Sequence, residues 1–354
     1  MKHLNESVLP YLTGAVQSNV SENTARRYML AIGYKYDVWK QDVYYDGHER
    51  EDVVTYRDQF CLKWLHFFER MNTYDGDDMI DLILRLNRFD SEVVWVTHDE
   101  SVFYANDDSG KLWTHEVHFD LPKKSRGRSV MVSDFLCPCH GRLYIIVNGK
   151  KEYACSVIHV GKDQDGYWTN DHLIALLRSK ALAAFEFLHP NATALFTFGQ
   201  STNHGAFASD ALRANCMNLG SGGSQPIMRN GSFGFDKTPQ SMCFPINHEN
   251  PSLAGKPKGL RIVLQERGLW RGEMRLKCKE TVVLSNSNPV VCCARHCMAA
   301  QPDFLQQQSQ LEETVRARGH EYLFFPKYHC ELNPIESFCQ APCSCKLRLQ
   351  LGWT

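Results

Sequence analysis

A buried strand that ends in a run of polar residues is the first stretch of this sequence that could do chemistry. Residues 195–204 read LFTFGQSTNH, so an apolar segment stops at Gly199 and is followed by amide, hydroxyl and imidazole side chains up to His204. Polar side chains at the carboxyl end of a strand commonly build a binding or catalytic site in α/β proteins. Gly199 offers no side chain, which raises the question of what this position should hold.

Two short basic runs indicate contact with nucleic acid. The formal net charge of the chain is only −1, which argues against a uniformly basic binding surface. Positive charge is instead concentrated locally, in a basic loop that we define by Lys123, Lys124, Arg126 and Arg128. The alternative interpretation of this loop is an ordinary solvated surface segment.

The second basic run contains Arg26 and Arg27 and lies within a predicted helix. Its boundaries are a cap at Ser21 or Asn23 and an end at Gly33. If residues 8–20 supply a preceding helix, the two arginines would face DNA phosphates or bases, as in a helix-turn-helix. The alternative is a short amphipathic helix packed on the main body.

Composition places the chain among globular proteins. It has 354 residues, of which 43% are hydrophobic, and a large domain with a smaller one is the expectation for this length. No stretch approaches the roughly 20 apolar residues of a membrane span, and the first residues lack the apolar core of a secretory signal. The fourteen cysteines form no compact disulfide framework, so we expect reduced thiols in an intracellular compartment.

Strands and helices that alternate along the chain must position these residues. The predicted strands are 92–106, 129–136, 141–148, 151–160, 192–198 and 321–325, with a hairpin turn at Asn148-Gly149. The predicted helices are 60–71, 77–86, 172–189, 204–217 and 302–318, and a late helix opens at the NPIE segment, 333–336. Residues 137–140, CPCH, are expected to form a strand-turn junction.

This succession matches an α/β, ribonuclease H-like fold, a mixed sheet flanked by helices. We expect a helical, partly helix-turn-helix-like segment at 1–58 and the ribonuclease H-like domain at 59–354, with an irregular Cys-containing insertion at about 220–300. In that fold, acidic residues of the first strand, the end of the fourth strand and a late helix converge on one face. The sequence offers Asp99 in the first strand and Glu336 in the late helix, but the middle acid is missing.

Several motifs in a fixed order resemble the DDE superfamily endonucleases of mariner-like DNA transposons, over roughly residues 20–338. They are VTHDESVFYAND at 96–107, the segment 123–135, TFGQSTNHGAF at 197–207, MNLGSGGSQP at 217–226, CCARHCMAAQPDF at 292–304 and FPKYHCELNPIESF at 325–338. YYDGHEREDVVTYR, at 44–57, resembles the segment that joins the DNA-binding and catalytic regions in one branch of that family.

The resemblance implies a catalytic site for cutting DNA. Family members carry Asp at the place of Gly199, so the second catalytic carboxylate is lost here. The implied cofactor is a pair of Mg²⁺ or Mn²⁺ ions, which take oxygen ligands. By resemblance, Asp99 bridges the two ions, residue 199 completes one ion site and Glu336 the other. The resemblance also implies DNA, in the form of transposon ends, as a partner and a nuclear location, and it leaves open whether the chain forms a homodimer. The lack of a membrane span predicts no membrane partner.

Alternatives remain for each acid and for the function. Asp99 could be a surface acid at a strand end. Glu336 could be part of a helix cap, with Asn333 as the N-cap and Pro334 at the first helical position, and have no catalytic role. The family's late helix continues as a basic amphipathic stretch, whereas residues 339–354 read CQAPCSCKLRLQLGWT. Two functions stay open, an impaired endonuclease or transposase and a catalytically dead protein that binds DNA or other partners.

A group of cysteines in the insertion suggests a structural Zn²⁺ site as a further hypothesis. The candidate ligands are Cys278, Cys292, Cys293, His296 and Cys297. A zinc ion could hold such a loop without a hydrophobic core of its own. The irregular ligand spacing, without a first Cys-x-x-Cys pair, argues against the site.

Overall fold

The computed structural model describes residues 20–38, 47–76, 81–83, 91–106, 111–115, 125–278 and 293–335. The described helices are α1 (Glu22–Ala31), α2 (Glu51–Phe68), α3 (Asn170–Leu176), α4 (Leu182–Leu188), α5 (Leu260–Glu266), α6 (Ala294–Ala299), α7 (Pro302–Leu305) and α8 (Gln310–Arg316). Within these ranges, no helix combines the length and apolar character needed to cross a membrane.

The described strands follow in chain order. They are β1 (Tyr34–Val38), β2 (Thr73–Asp75), β3 (Asp81–Ile83), β4 (Val93–Tyr104), β5 (Lys111–His115), β6 (Ser129–Cys137), β7 (Gly141–Arg142), β8 (Tyr144–Val147), β9 (Lys150–Tyr153), β10 (Ser156–Val160), β11 (Thr193–Phe198), β12 (Gly231–Phe233), β13 (Thr238–Gln240) and β14 (Glu321–Phe324). Short pairs form β1-β5, β2-β3, β8-β9 and β12-β13.

The main sheet has the strand order β10-β6-β4-β11-β14, and β7 also pairs with β6. The pairs β10-β6 and β4-β6 are antiparallel, whereas β11-β14 is parallel. When the short β7 is left aside, these are the third, second, first, fourth and fifth strands of the sheet in chain order. Helices follow β10 and precede β14 along the chain. The sheet is therefore mixed and flanked by helices, which confirms the ribonuclease H-like prediction.

The chain divides into two compact units. The first comprises Met1–Glu69, Val96–Trp168 and Phe325–Thr354, and the second comprises Arg70–Trp95 and Thr169–Phe324. In the first unit, the antiparallel strands bury Val96, Val130 and Phe135. In the second, β11 buries five consecutive residues from Ala194 to Phe198 completely. The predicted division at residue 58 stays a prediction.

Local sequence signals explain several elements. Ser21 caps α1, its Oγ accepting a hydrogen bond from Thr24 N over 3.2 Å. Thr169 and His172 form a capping box at the start of α3. Asn148 and Gly149 join β8 to β9 with φ of 50° and 75°, the left-handed pair that a type I′ hairpin requires. Cys137 ends β6 and a turn at 138–140 follows, so the predicted strand-turn junction is confirmed.

Two predicted helices are wrong. At 77–86, the described part forms strand β3, in which Leu82 pairs with Tyr74, because a short apolar run fits a strand as well as a helix. At 204–217, the chain forms turns and one short 3₁₀ segment, Ala214–Cys216. There, the Ala206 carbonyl accepts from Gln310 N and the Asp210 carbonyl from Arg229 N, over 2.9 and 2.7 Å, so distant residues take the carbonyls that a helix needs.

The Cys-containing insertion is not irregular throughout, because its buried residues pack in one hydrophobic cluster with residues that flank it. The cluster consists of Leu212, Ala214, Met217, Met228, Met242, Leu260, Val263, Leu264, Ala294, Cys297, Met298 and Phe304. The predicted helix at 302–318 is also interrupted, since α7 ends at Leu305 and Ser309 caps a new helix, α8. Two short helices contribute trios at i, i+3 and i+4, Leu260, Val263 and Leu264 on α5 and Ala294, Cys297 and Met298 on α6. Each helix spans only six or seven residues, so the sequence interpretation missed this periodicity.

Candidate functional site

Asp99, the first predicted catalytic acid, lies in the middle of β4 in the first unit. Its side chain is half-buried and both carboxylate oxygens accept hydrogen bonds. Glu100 N donates to Oδ1 and Asn333 Nδ2 donates to Oδ2, each over 2.8 Å. Asp99 is therefore held by the protein and does not extend freely from a strand end.

Asn333 connects the late NPIE segment to β4. It is buried, and its Oδ1 accepts a hydrogen bond from Thr97 Oγ1 over 2.8 Å. The same amide donates from Nδ2 to Asp99, so both ends of the amide group are used and its orientation is fixed. Ile335 N also donates to Asn333 Oδ1, over 3.4 Å, which fits the predicted helix cap.

Glu336, the predicted acid of the late helix, lies outside the described residues. It follows Ile335, the last described residue of the NPIE segment. The contact of Asn333 with Asp99 brings the start of this segment to the predicted acid of β4. That the carboxylates of Asp99 and Glu336 lie close enough to share a metal ion stays a prediction.

Gly199 directly follows β11 in the second unit, at the place of the expected second acid. A Cβ atom added to this glycine would meet no heavy atom within 4 Å beyond its chain neighbours, and its φ is not in the left-handed region. Neither space nor backbone conformation therefore requires glycine here. Its carbonyl oxygen accepts two hydrogen bonds, from Ser201 N over 3.0 Å and from His204 Nδ1 over 2.6 Å.

His204 folds the polar segment after β11 back onto the strand end. The ring is 1% exposed and packs edge-on against Phe198, with ring centroids 5.5 Å apart. Because a carbonyl oxygen can only accept, the hydrogen bond to Gly199 places the proton on His204 Nδ1. Ser201 Oγ accepts from His204 N over 3.2 Å and completes the turn.

Position 199 supplies no side-chain ligand to a site for two divalent ions. Each Mg²⁺ ion needs oxygen ligands, and two-ion sites use carboxylates to hold both ions. Position 199 has no side-chain oxygen, and its carbonyl oxygen is already engaged by Ser201 and His204. Of the three acid positions that the resemblance implies, Asp99 alone presents a carboxylate within the described part of the chain.

Asp134 is an acidic residue that the sequence interpretation missed. It lies on β6 directly opposite Asp99, so the two side chains share one face of the antiparallel pair. Arg142 Nε donates to Asp134 Oδ2 over 2.5 Å and Phe135 N donates to Oδ1 over 2.9 Å. Burial raises the pKa of Asp134 to about 6, although the Arg142 charge and both hydrogen bonds oppose the increase. The signal in the sequence was a single acid inside the apolar run SVMVSDFL.

Asp134 does not stand in for the acid missing at position 199. Both of its oxygens accept hydrogen bonds from the protein, and its carboxylate pairs with the half-buried Arg142 guanidinium. A metal ion at Asp134 would have to displace this cation. The Asp134–Arg142 pair is therefore a structural ion pair beside Asp99.

The described part of the basic loop contacts the C-terminal end of β4 and the turn that follows it. Arg126 and Arg128 are exposed, and the Arg126 guanidinium lies over the Tyr104 ring, 5.0 Å from its centroid. The carbonyls of both arginines accept hydrogen bonds from the turn after β4, from Asn106 N and Ala105 N. Lys123 and Lys124 lie outside the described residues.

Arg26 and Arg27 lie on α1, a helix without buried residues. Both side chains are exposed, and Arg26 forms an ion pair with Glu22 one turn earlier, over 3.0 Å. Thr24, Ala25 and Met29 of the helix are half-buried, and both interpretations of α1 stay predictions. Residues 8–19 of the expected preceding helix lie outside the described residues.

Two segments of the family resemblance contact each other within the first unit. Residues from GHER, at 47–50, meet Tyr328 of the late KYHCEL segment. His48 Nε2 donates to the Tyr328 carbonyl over 2.5 Å, and Arg50 Nη1 donates to its hydroxyl over 3.0 Å. A Cβ on Gly47, whose φ is 111°, would lie 2.9 Å from the Tyr328 ring. The close approach of the ring therefore requires glycine at this position.

Comparison with known proteins gives distant structural neighbours only. No protein-family model and no curated protein matches the chain. It is similar to the crystal structure of the mariner Mos1 paired end complex with Mg, with 13% sequence identity and a TM-score of 0.29, over 56% of this chain and 52% of that chain. It is also similar to the crystal structure of the Mos1 strand transfer complex, with 13% identity and a TM-score of 0.25, over 53% and 45%. The chain thus spans about half the length of the chains it matches, and the fold assignment rests on the strand order and directions.

Proposed function

We propose that this chain is a transposase-derived, DNA-binding protein of the nucleus that has lost most of its ability to cut DNA. The ordered motifs that resemble DDE endonucleases support the ancestry, together with the mixed sheet that carries Asp99. The exposed arginines of α1 and of the basic loop support DNA as the partner. An intact endonuclease would need a second acid at the end of β11.

The observation that carries this proposal is the glycine at position 199. The backbone and the surrounding space at Gly199 would accept a Cβ atom, yet the chain has no side chain there. Without that carboxylate, one divalent ion is held less tightly, and the attacking and leaving oxygens are no longer clamped together. DNA binding requires no such ion, so we expect the protein to retain DNA binding although it has lost most of its cleavage activity.

The test is nicking of supercoiled plasmid in Mg²⁺ and in Mn²⁺. We expect no or slow nicking by the wild type, faster nicking by Gly199→Asp, and loss of that gain in Gly199→Asp with Asp99→Ala. Gly199→Asn is the matched control, because it adds a side chain of the same shape without the charge, and it should behave like the wild type.

Two outcomes would contradict the proposal. Equal nicking by the wild type and Gly199→Asp, abolished by Asp99→Ala, would mean that the site works without a carboxylate at 199. A folded Gly199→Asp protein that binds DNA but nicks it with neither ion would mean that position 199 is not the second acid position.

A further inference from the structure

Two cysteines and a histidine of the insertion lie together within the second unit. Cys278 Sγ, Cys293 Sγ and a ring nitrogen of His296 all lie within 4.8 Å of one another. Cys293 is buried, and Cys278 and His296 are half-buried. From this grouping we propose that the three side chains bind a Zn²⁺ ion, independently of any catalytic metal.

The backbone brings these three residues together. Cys293 is the N-cap of α6 and His296 lies three residues later, so both belong to the first turn of that helix. The segment before Cys278 pairs with the same turn, because Ala294 N donates to the Arg275 carbonyl over 2.9 Å and Arg295 N to the Leu276 carbonyl over 3.2 Å. The ligands are therefore positioned by backbone hydrogen bonds that need no metal.

The distance between the ligand atoms fits tetrahedral zinc. Cys278 Sγ and His296 Nδ1 are 3.4 Å apart. A tetrahedral ion about 2.3 Å from sulfur and about 2.0–2.1 Å from nitrogen separates these two atoms by about 3.6 Å. An ion could enter with small side-chain adjustments. It would replace the direct contact of the thiol with the imidazole.

The chemistry of the ligands selects zinc over the hard cations of a nuclease site. Thiolate and imidazole groups favour Zn²⁺, whereas Mg²⁺ takes oxygen ligands. Cys297 is not a member of the group and packs in the apolar cluster of the insertion. Cys292 lies outside the described residues. The three described ligands leave one tetrahedral position for a further ligand, because structural zinc sites have four.

Zinc at this site would tie together two points distant in sequence. Cys278 and Cys293 flank residues 279–292, and α6 belongs to the apolar cluster of the insertion. Metal binding to ligands arranged only in the folded state adds its binding free energy to folding. The expected role is therefore structural, and zinc removal should destabilise the protein.

The experiment measures metal binding to the full-length wild type and to matched variants. We expect one Zn²⁺ per chain by competition with a chromophoric chelator, and a sulfur-to-metal charge-transfer band when Co²⁺ replaces Zn²⁺. Cys278→Ser, Cys293→Ser and His296→Gln should each lower the zinc affinity by more than about 10-fold. Cys243→Ser changes a half-buried cysteine of the same unit outside the group, and it should bind zinc normally.

The Co²⁺ spectrum of the wild type tests the site without any variant. Absence of a thiolate charge-transfer band would overturn the proposal, as would zinc affinity unchanged in three variants with wild-type circular dichroism. A lower temperature of unfolding in EDTA, restored by Zn²⁺ and absent in Cys278→Ser, would support it. The plasmid-nicking results have no bearing on this outcome.

Discussion

Asn333 donates a hydrogen bond from Nδ2 to Asp99 Oδ2 over 2.8 Å, joining residues 234 positions apart in the chain. The other end of the amide accepts from Thr97 Oγ1, two residues earlier on β4. An aspartate would lack the donor, and an alanine would lack both groups. The buried amide of Asn333 therefore links the late segment to β4, the strand that carries the first predicted acid.

Replacing Asn333 should destabilise the protein. Asn333→Ala leaves Thr97 Oγ1 and Asp99 Oδ2 without this partner in a largely buried place, so we expect a loss of about 1–3 kcal/mol in the free energy of unfolding. Chemical denaturation measures the change. Asn247→Ala, at an exposed site, is the control and should stay within about 0.5 kcal/mol of the wild type. Equal stability of both variants would mean that the amide adds nothing.

Gly199 should tolerate a side chain, unlike Gly259. A Cβ at Gly199 meets no heavy atom within 4 Å beyond its neighbours, whereas a Cβ at Gly259 would lie 2.2 Å from the Gly220 carbonyl oxygen. We therefore expect Gly199→Ala to change the free energy of unfolding by less than about 1 kcal/mol, and Gly259→Ala to cost about 1–3 kcal/mol or more. Thermal unfolding compares the two. A large loss in Gly199→Ala would show that glycine is kept there for structural reasons.

Asp134 should make stability depend on pH. Its pKa is raised by burial from 3.8 to about 6 in the folded protein, so the folded state binds more protons than the unfolded state between these values. The free energy of unfolding contributed by this residue therefore falls as pH rises from about 4 to about 6, by about 3 kcal/mol in total. Above that window, the contribution is constant.

Comparison of variants isolates this effect from the other acids. Denaturation curves from pH 4 to pH 7 should show Asp134→Asn gaining stability relative to the wild type as pH rises. Asp236→Asn, at an exposed position, controls for the loss of one surface carboxylate. A pH-independent difference between Asp134→Asn and the wild type would show that Arg142 keeps Asp134 ionised throughout.

Arginines of α1 should contribute to DNA binding through phosphates. We expect Arg26→Ala with Arg27→Ala to weaken binding to all duplex sequences alike and to reduce the slope of log affinity against log salt by about 0.9 for each lost phosphate contact. Fluorescence anisotropy with labelled duplexes at several salt concentrations measures both. The control is Arg316→Ala with Arg318→Ala, which removes two exposed arginines that pair with Glu312 and Glu186. A double α1 variant that binds like the wild type would contradict this role.

The sequence by itself determined the elements whose signals are local. The β-branched and aromatic apolar runs of β4 and β11 favoured buried strands, and the Asn148-Gly149 pair forms the turn that its left-handed φ values of 50° and 75° allow. Ser21 caps α1 through a hydrogen bond to a residue three positions later. The absence of a carboxylate at Gly199 is also a property of the sequence alone. Such features depend on neighbours within a few residues.

Tertiary structure alone decided which distant residues meet. The register of β4 against β6 places Asp134 opposite Asp99, and no local pattern reveals a register between strands. Helix 204–217 fails because Gln310 and Arg229 take backbone carbonyls that a helix would use. Of the cysteines in the insertion, packing groups Cys278 and Cys293 with His296 but leaves Cys297 in an apolar cluster. These outcomes follow from burial and hydrogen bonding between segments far apart in the chain, which local propensity does not encode.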